Sequence, residues 1–219
     1  MVTPGAESAT RRALRAAVIL GAAAVVAVAL VSLVHDLAQP RIEANQRAQR
    51  LAQLTAALGN VRYDNDPLTD VTYVRDRELL GADEAVPVHR ARLGGEPAAL
   101  LVTAVAPDGY AGAIRLLVAI AADGRLLGVR VLAHRETPGL GDAIEERRSP
   151  WIRIFDGRSL ADPPAGRWLV RKDGGDFDQF TGATVTPRAI VAAVRNALVY
   201  FDQHRERLFS APPTDGVTP

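Results

Sequence analysis

Hydrophobic and polar positions change rhythm three times along this chain. From Ala16 to Val34 the run AAVILGAAAVVAVALVSLV carries no charge. Its 19 residues, wound as a helix, cover about 28 Å, close to the hydrocarbon thickness of a bilayer. The pattern predicts a transmembrane helix over 16–34. After Pro40 the composition turns to Ala, Gln and Arg, with Leu51, Thr55 and Leu58 on one side at helical spacing. This predicts a stalk helix within 35–60 that stops at Gly59.

The period then shortens to that of strands. VPVHRARL, ALLVTAV, AIRLLVAIA and LLGVRVL are short runs rich in Val, Ile and Leu, parted by glycine-containing turns. Asp123-Gly124 between the last two favours a tight hairpin. Helical spacing returns at Ile190, Val194, Leu198 and Phe201. Thr186 followed by Pro187 reads as an N-cap with proline at the first helical position, which predicts a helix of about 20 residues. The class is α+β: one N-terminal transmembrane helix, then a domain over 61–209 with three or four strands, partly antiparallel, packed by helices. Residues 210–219, rich in proline and small polar side chains, are expected to be a mobile tail.

Charge orients the chain before it identifies any partner. Arg11, Arg12 and Arg15 precede the apolar run and Asp36 follows it, so the positive-inside rule puts residues 1–15 in the cytoplasm and the main domain outside. In a bacterium that is a single-pass inner-membrane protein facing the periplasm. A cleaved signal peptide is the rival reading, and TRRALR hints at twin-arginine export. Against it, the run is long for a signal core and HDLAQPR offers no small-x-small cleavage site. Overall, 26 basic residues nearly balance 25 acidic ones, and the basic residues form no stripe interleaved with aromatics, which argues against nucleic acid. The chain has no cysteine, which excludes disulfides, thiolate ligands and a thiol nucleophile. His35, His89, His134 and His204 lack metal-ligand spacing, so no metal site is expected.

Four loops hold the remaining chemistry. YDNDPLTD, Tyr63 to Asp70, reads as turns at the start of the domain and lacks the Gly and Glu of a calcium loop. DGYAGAI, Asp108 to Ile114, surrounds Tyr110 with Gly109 and Gly112. HRETPGLGD, His134 to Asp142, is a compact glycine-rich turn that either wraps a flat ring or merely reverses the chain. Its His134 and Glu136 read either as an acid–base pair or as satisfiers of local hydrogen bonds, and no nucleophile accompanies them, so no catalytic residue is assigned. RKDGGDFDQF, Arg171 to Phe180, crowds aspartates ahead of TGATVTP. There Thr184 lies just before a helix N-terminus, whose unpaired amides and dipole favour a phosphate, while Gly182 and Ala183 leave room beside it. Two readings stay open on the residues alone: a phosphate site, or threonines that only cap a helix.

Asp178, Thr181, Gly182, Ala183 and Thr184 match the pattern Asp-x-x-Ser/Thr-Gly-Ala-Thr of proteins that carry FMN on the last threonine. With the apolar run, YDNDPLTD, GYAGAIRLLV, HRETPGLGD and KDGGDFDQFTGATVTP in the same order, nearly the whole chain resembles the G-subunit family of the Rnf (Rsx) ion-translocating electron transport complex. The resemblance implies an FMN-binding domain, with FMN joined through a phosphoester to Thr184 and with Asp178, Thr181, Gly182 and Ala183 as the recognition loop. It further implies that Tyr110, Glu136, Thr137 and the HRETPGLGD turn contact the ring or its chain. Its implied partners are the other subunits of the complex, the membrane, and a flavin transferase that uses FAD and magnesium. The function it implies is electron relay within an oxidoreductase that couples ferredoxin and NAD chemistry to ion transport, without turnover by the isolated chain. Two alternatives stand beside it: the C subunit of the sodium-pumping NADH:quinone reductase, which shares the threonine motif, and an anchored binding module without redox chemistry.

Overall fold

A computed structural model describes residues 6–213. The first five residues of the expected cytoplasmic segment, the side chain of Arg12 and residues 214–219 of the expected tail lie outside the described residues. The chain divides into two compact units between Gln49 and Arg50. One helix, α1 (Ala6–Leu58), contributes to both. The apolar run and the expected stalk thus form one element, with Pro40 inside it rather than between two helices. Proline removes one backbone donor and strains one turn, yet the helix formers on both sides carry the helix through.

Val18, Leu20, Val25, Leu30 and Val34 all stand largely exposed. α1 contains a window of mean hydropathy 2.8 with none of it buried, long and apolar enough to cross a bilayer. A helix that is apolar all round needs a solvent other than water.

The second unit is an antiparallel meander with its five strands in chain order: β1 (Val71–Val74), β2 (Val86–Leu93), β3 (Glu96–Ala106), β4 (Ile114–Ala121) and β5 (Leu126–Ala133). Four of these cover the four runs read from the sequence. β1 is the addition, an edge strand of four residues, too short to show a period. Gly124, at φ +90°, makes the expected hairpin between β4 and β5.

Alternation along the strands gives the sheet two dry faces. On one, Val88, Leu100, Val102, Leu116, Val118 and Ile120 meet Ile190, Val194, Leu198 and Phe201 of helix α2 (Val185–Ser210). Each such side chain contributes about 1.5–3 kcal/mol by leaving water. On the other, Ala91, Ala99, Leu101, Leu117 and Ala119 meet Leu54, Ala57 and Leu58 at the end of α1. That end is core, and its buried stripe runs through Leu54 and Ala57, while Thr55 of the expected stripe is exposed. Small residues let the helix close on the sheet: a Cβ on Gly128 would stand 2.8 Å from the Ala57 carbonyl oxygen.

Between β5 and α2 the chain runs through four short 3-10 turns, at 141–144, 150–155, 165–167 and 171–173. A ring cluster holds them together. Trp151 meets Phe155 edge-on at 5.7 Å, and Trp168 meets Phe177 at 4.8 Å. Both indoles also donate to main-chain oxygens, Trp151 to Asp178 at 2.7 Å and Trp168 to Pro163 at 2.9 Å. The first of these fixes the segment that leads into α2.

The C-terminal end of α2 is gripped by charge. Arg90, fully buried in β2, pairs with Asp70 at 2.6 Å and donates to the carbonyls of Leu208 and Ala211. Arg92 pairs with the same aspartate at 2.8 Å and donates to Phe209 O at 2.6 Å. The YDNDPLTD segment is the frame of this clamp. Asn65 accepts from the Arg92 amide and donates to Asp70 and to Arg90 O, and Asp64 accepts from the Gly94 amide.

Candidate functional site

The opposite end of α2 is built differently. Phe180 to Ala183 form a tight turn closed by the Ala183 amide on Phe180 O at 3.3 Å, with Gly182 at φ +83° in the left-handed region that glycine enters without strain. Thr184 follows as the N-cap residue, but at φ −78° and ψ −27° it is already helical, and its side chain makes no capping hydrogen bond. An N-cap threonine normally sits in extended backbone and turns its oxygen onto the first amides. Here the hydroxyl is not spent that way. Thr186 is therefore not the N-cap and Pro187 not the first helical residue: the helix starts at Val185, earlier than the sequence pattern suggests. The first intrahelical bond runs from the Arg188 amide to Thr184 O at 3.2 Å, and Pro187 has no amide, so Val185 and Thr186 supply the donors of the first turn.

In front of this end lies a cavity of about 340 Å³, within the size range of small-molecule sites. It gathers three loops: Tyr110 from the β3–β4 connection, Glu136 to Gly141 from the turn after β5, and Gly182 to Thr186. Of the sequence candidates, Tyr110, Glu136, Thr137, Gly182, Ala183 and Thr184 line it. Its rim is apolar and open, with Tyr110 73%, Leu140 53% and Val185 40% exposed. Leu140 and Gly141 of the HRETPGLGD turn join them, and so do Val185 and Thr186, which are not candidates for flavin contact by sequence. Their signal is the shared loop with Thr137 and Thr184, but only the fold turns those loops toward one another.

Asp178 and Thr181 stand outside the cavity. Both are exposed, and Asp178 pairs with Arg171 at 2.9 Å. The crowd of carboxylates in this loop is neutralised residue by residue: Asp173 takes a two-pronged contact from Arg188 at 2.6 and 2.9 Å, and Asp176 one from Arg167. The Arg188 hydrogen bonds hold the Asp173 carboxyl below its ordinary range.

Glu136 is the one acidic candidate facing inward. It is 4% exposed; one oxygen accepts from the Ala111 amide at 3.1 Å and the other from the Thr186 hydroxyl at 2.6 Å. Glycines make room on both sides, since a Cβ on Gly109 would stand 2.9 Å from one carboxylate oxygen and a Cβ on Gly141 2.6 Å from the other. His134 does not pair with this carboxylate. Its Nδ1 accepts from the Glu136 main-chain amide at 3.0 Å and its Nε2 meets Glu145 at 2.9 Å, so the neutral tautomer carrying the proton on Nε2 satisfies both contacts. The acid–base reading of His134 and Glu136 gives way to the local hydrogen-bond reading. Glu145, bonded first to Arg147 and then to His134, has its carboxyl pulled down to about 2.

The site thus combines helix amides without an internal cap, a free hydroxyl beside them, and a partly apolar cleft wide enough for a flat ring. This is the donor set for a phosphate-bearing aromatic group.

Comparison with known proteins agrees with this chemistry. The FMN-binding domain family model matches residues 109–199, which include the whole cavity, and the model for the RnfG N-terminal region matches residues 8–56. The chain is 53% identical over 211 residues to the G subunit of the ion-translocating oxidoreductase complex of Pseudomonas aeruginosa strain UCBPP-PA14, covering 96% of this chain and 99% of that one. It is 46% identical to the protein of the same name from Vibrio atlanticus, over 84% of this chain and 87% of that one. A solved structure described as Shewanella oneidensis NqrC is 23% identical, covers 65% of this chain and 75% of its own, and has a TM-score of 0.44, a likeness too slight to speak for the site.

Proposed function

This chain belongs to the G-subunit family of ion-translocating oxidoreductase complexes, and from that premise we propose that it carries FMN as a phosphoester on Thr184. The chain is a membrane-anchored flavin subunit of such a complex, and the finer reading concerns how the flavin is held and where. The observation that carries it is the uncapped Thr184 hydroxyl at the open N-terminus of α2, facing a cleft with an apolar rim.

FMN fits what the residues offer. The Val185 and Thr186 amides and the α2 dipole suit the phosphate, Gly182 leaves its side open because a Cβ there would meet nothing within 4 Å, and Tyr110, Leu140 and Val185 suit the ring. When bound, FMN supplies carriage of one or two electrons, which no side chain of this cysteine-free chain can. Attachment is the work of a separate flavin transferase using FAD and magnesium. The Thr184 oxygen forms the bond to the FMN phosphorus, the phosphoanhydride bond to AMP breaks, AMP leaves, and the hydroxyl proton goes to a base of the transferase. Asp178 and Thr181, exposed and outside the cleft, suit recognition by that enzyme rather than contact with the flavin. Arg11 and Arg15 ahead of the apolar run support a cytoplasmic N-terminus and a periplasmic domain.

The test is the intact mass of chain co-expressed with the transferase. One FMN phosphoester on the peptide containing Thr184, and none in Thr184→Val, is the expected result. Unchanged mass in the wild type, or added mass in the variant, would overturn the assignment.

A further inference from the structure

Glu136 is a buried carboxylate whose described partners are all neutral. A buried anion is costly unless its hydrogen bonds are supplied, and here they come from two different parts of the fold. The Ala111 amide belongs to the loop that carries Tyr110, and the Thr186 hydroxyl belongs to the first turn of α2, two residues after Thr184. Gly109 and Gly141 sit against the same carboxylate, one on each oxygen, so close that neither tolerates a Cβ without displacement. Glu136 itself is held by its main-chain amide on His134, whose far nitrogen is tied to Glu145.

Three loops that meet nowhere in sequence are thus indexed to one carboxylate. Besides this link, the α2 start is tied by the exposed Arg188–Asp173 pair, which lies on its outer side. Thr184 makes no cap, Pro187 offers no amide, and Val185 is exposed. We infer that Glu136 is the positioning residue of the flavin acceptor: through Thr186 it sets the first turn of α2, and with it the Thr184 hydroxyl, against the Tyr110 loop. This rests on the reading of Thr184 as acceptor. It assigns Glu136, which lines the cleft, a positioning role through Thr186 and Ala111.

The chemistry predicts which substitutions are tolerated. Glu136→Gln keeps both bonds, with its oxygen accepting from Ala111 and its amide donating to the Thr186 oxygen. Thr186→Ser keeps the hydroxyl. Glu136→Ala and Thr186→Val remove the link. Misplacing a reacting atom by about an ångström lowers a rate about a hundredfold.

The experiment is steady-state flavinylation of the purified full-length chain in detergent, with the transferase and FAD, followed by intact mass. For Thr186→Val and Glu136→Ala, kcat of modification is expected to fall by about 10- to 100-fold with KM for the acceptor chain unchanged. Thr186→Ser and Glu136→Gln are expected to stay near wild type. Thr186→Val, which loses one hydroxyl, decides the matter if Glu136→Ala lacks a cooperative unfolding transition. A wild-type kcat in Thr186→Val, or a rise in KM at constant kcat, overturns the positioning role. Failure of the wild type to gain mass, or labelling of Thr184→Val, instead overturns the reading on which it rests.

Discussion

The two ends of α2 are solved in opposite ways. At the C-terminal end, two arginines held by one aspartate donate to the carbonyls of Leu208, Phe209 and Ala211, and their positive charge complements the helix dipole. At the N-terminal end the cap residue is already helical and makes no side-chain cap, the Glu136 carboxylate is taken up by the Thr186 hydroxyl, and a cleft opens in front. A helix end left without partners is costly unless something fills it. With FMN placed at Thr184 as proposed, the contrast separates a structural end, complete in the folded chain, from a functional end completed by a group the chain does not encode.

Substitutions at the two ends should therefore fail differently. The largest effect is all-or-none: Thr184→Val should abolish covalent flavin while leaving the Tm of the unmodified chain unchanged, as read by intact mass and thermal unfolding. If Thr184→Val instead lowers Tm markedly, the hydroxyl is structural and the contrast collapses. Next is Asp70→Ala, which strands the buried Arg90 without its counter-charge and should cost about 3 kcal/mol in denaturant unfolding. The start of α2 should keep its capacity for flavin wherever that variant is folded. Gly141→Ala should cost about 2 kcal/mol by overpacking, because its Cβ meets the Glu136 carboxylate, and unlike Asp70→Ala it should also slow flavinylation of the folded molecules.

Smallest is an acid effect beside the site. The folded-state Glu145 carboxyl lies near 2, below its unfolded value of 4.5, so its contribution to stability is complete above pH 4.5 and is lost as pH falls from there toward 2. Thermal unfolding across that window should show a loss that Glu145→Gln does not. Equal slopes in the two proteins would show that the His134–Glu145–Arg147 chain contributes nothing.

Much of this was legible in the sequence because it follows a short period. The runs that became β2 to β5 alternate or stay apolar over seven residues or more, and the α2 stripe Ile190, Val194, Leu198, Phe201 is buried throughout. β1 was not legible, because four residues at a sheet edge have no period to read. The true helix start was masked by Thr186-Pro187, a good capping pair whose threonine is bonded to Glu136, 50 residues away in sequence. Likewise the burial of Arg90 has no local sign in the sequence, and only the arrival of α2 shows why it is buried. Contacts between distant segments carry no local signature, so the cleft could be named in pieces but not assembled.

The clamp on Arg90 and Arg92 also has a consequence for the order of events. All five strands precede α2 along the chain, and α2 finds its grip only when Leu208, Phe209 and Ala211 reach those arginines. Thr184, the proposed acceptor, is the N-cap residue at the other end of the same helix. If Thr184 is the acceptor, flavin attachment works as a receipt for completed folding: chains cut before Leu208 lack the clamp and are expected to remain colourless.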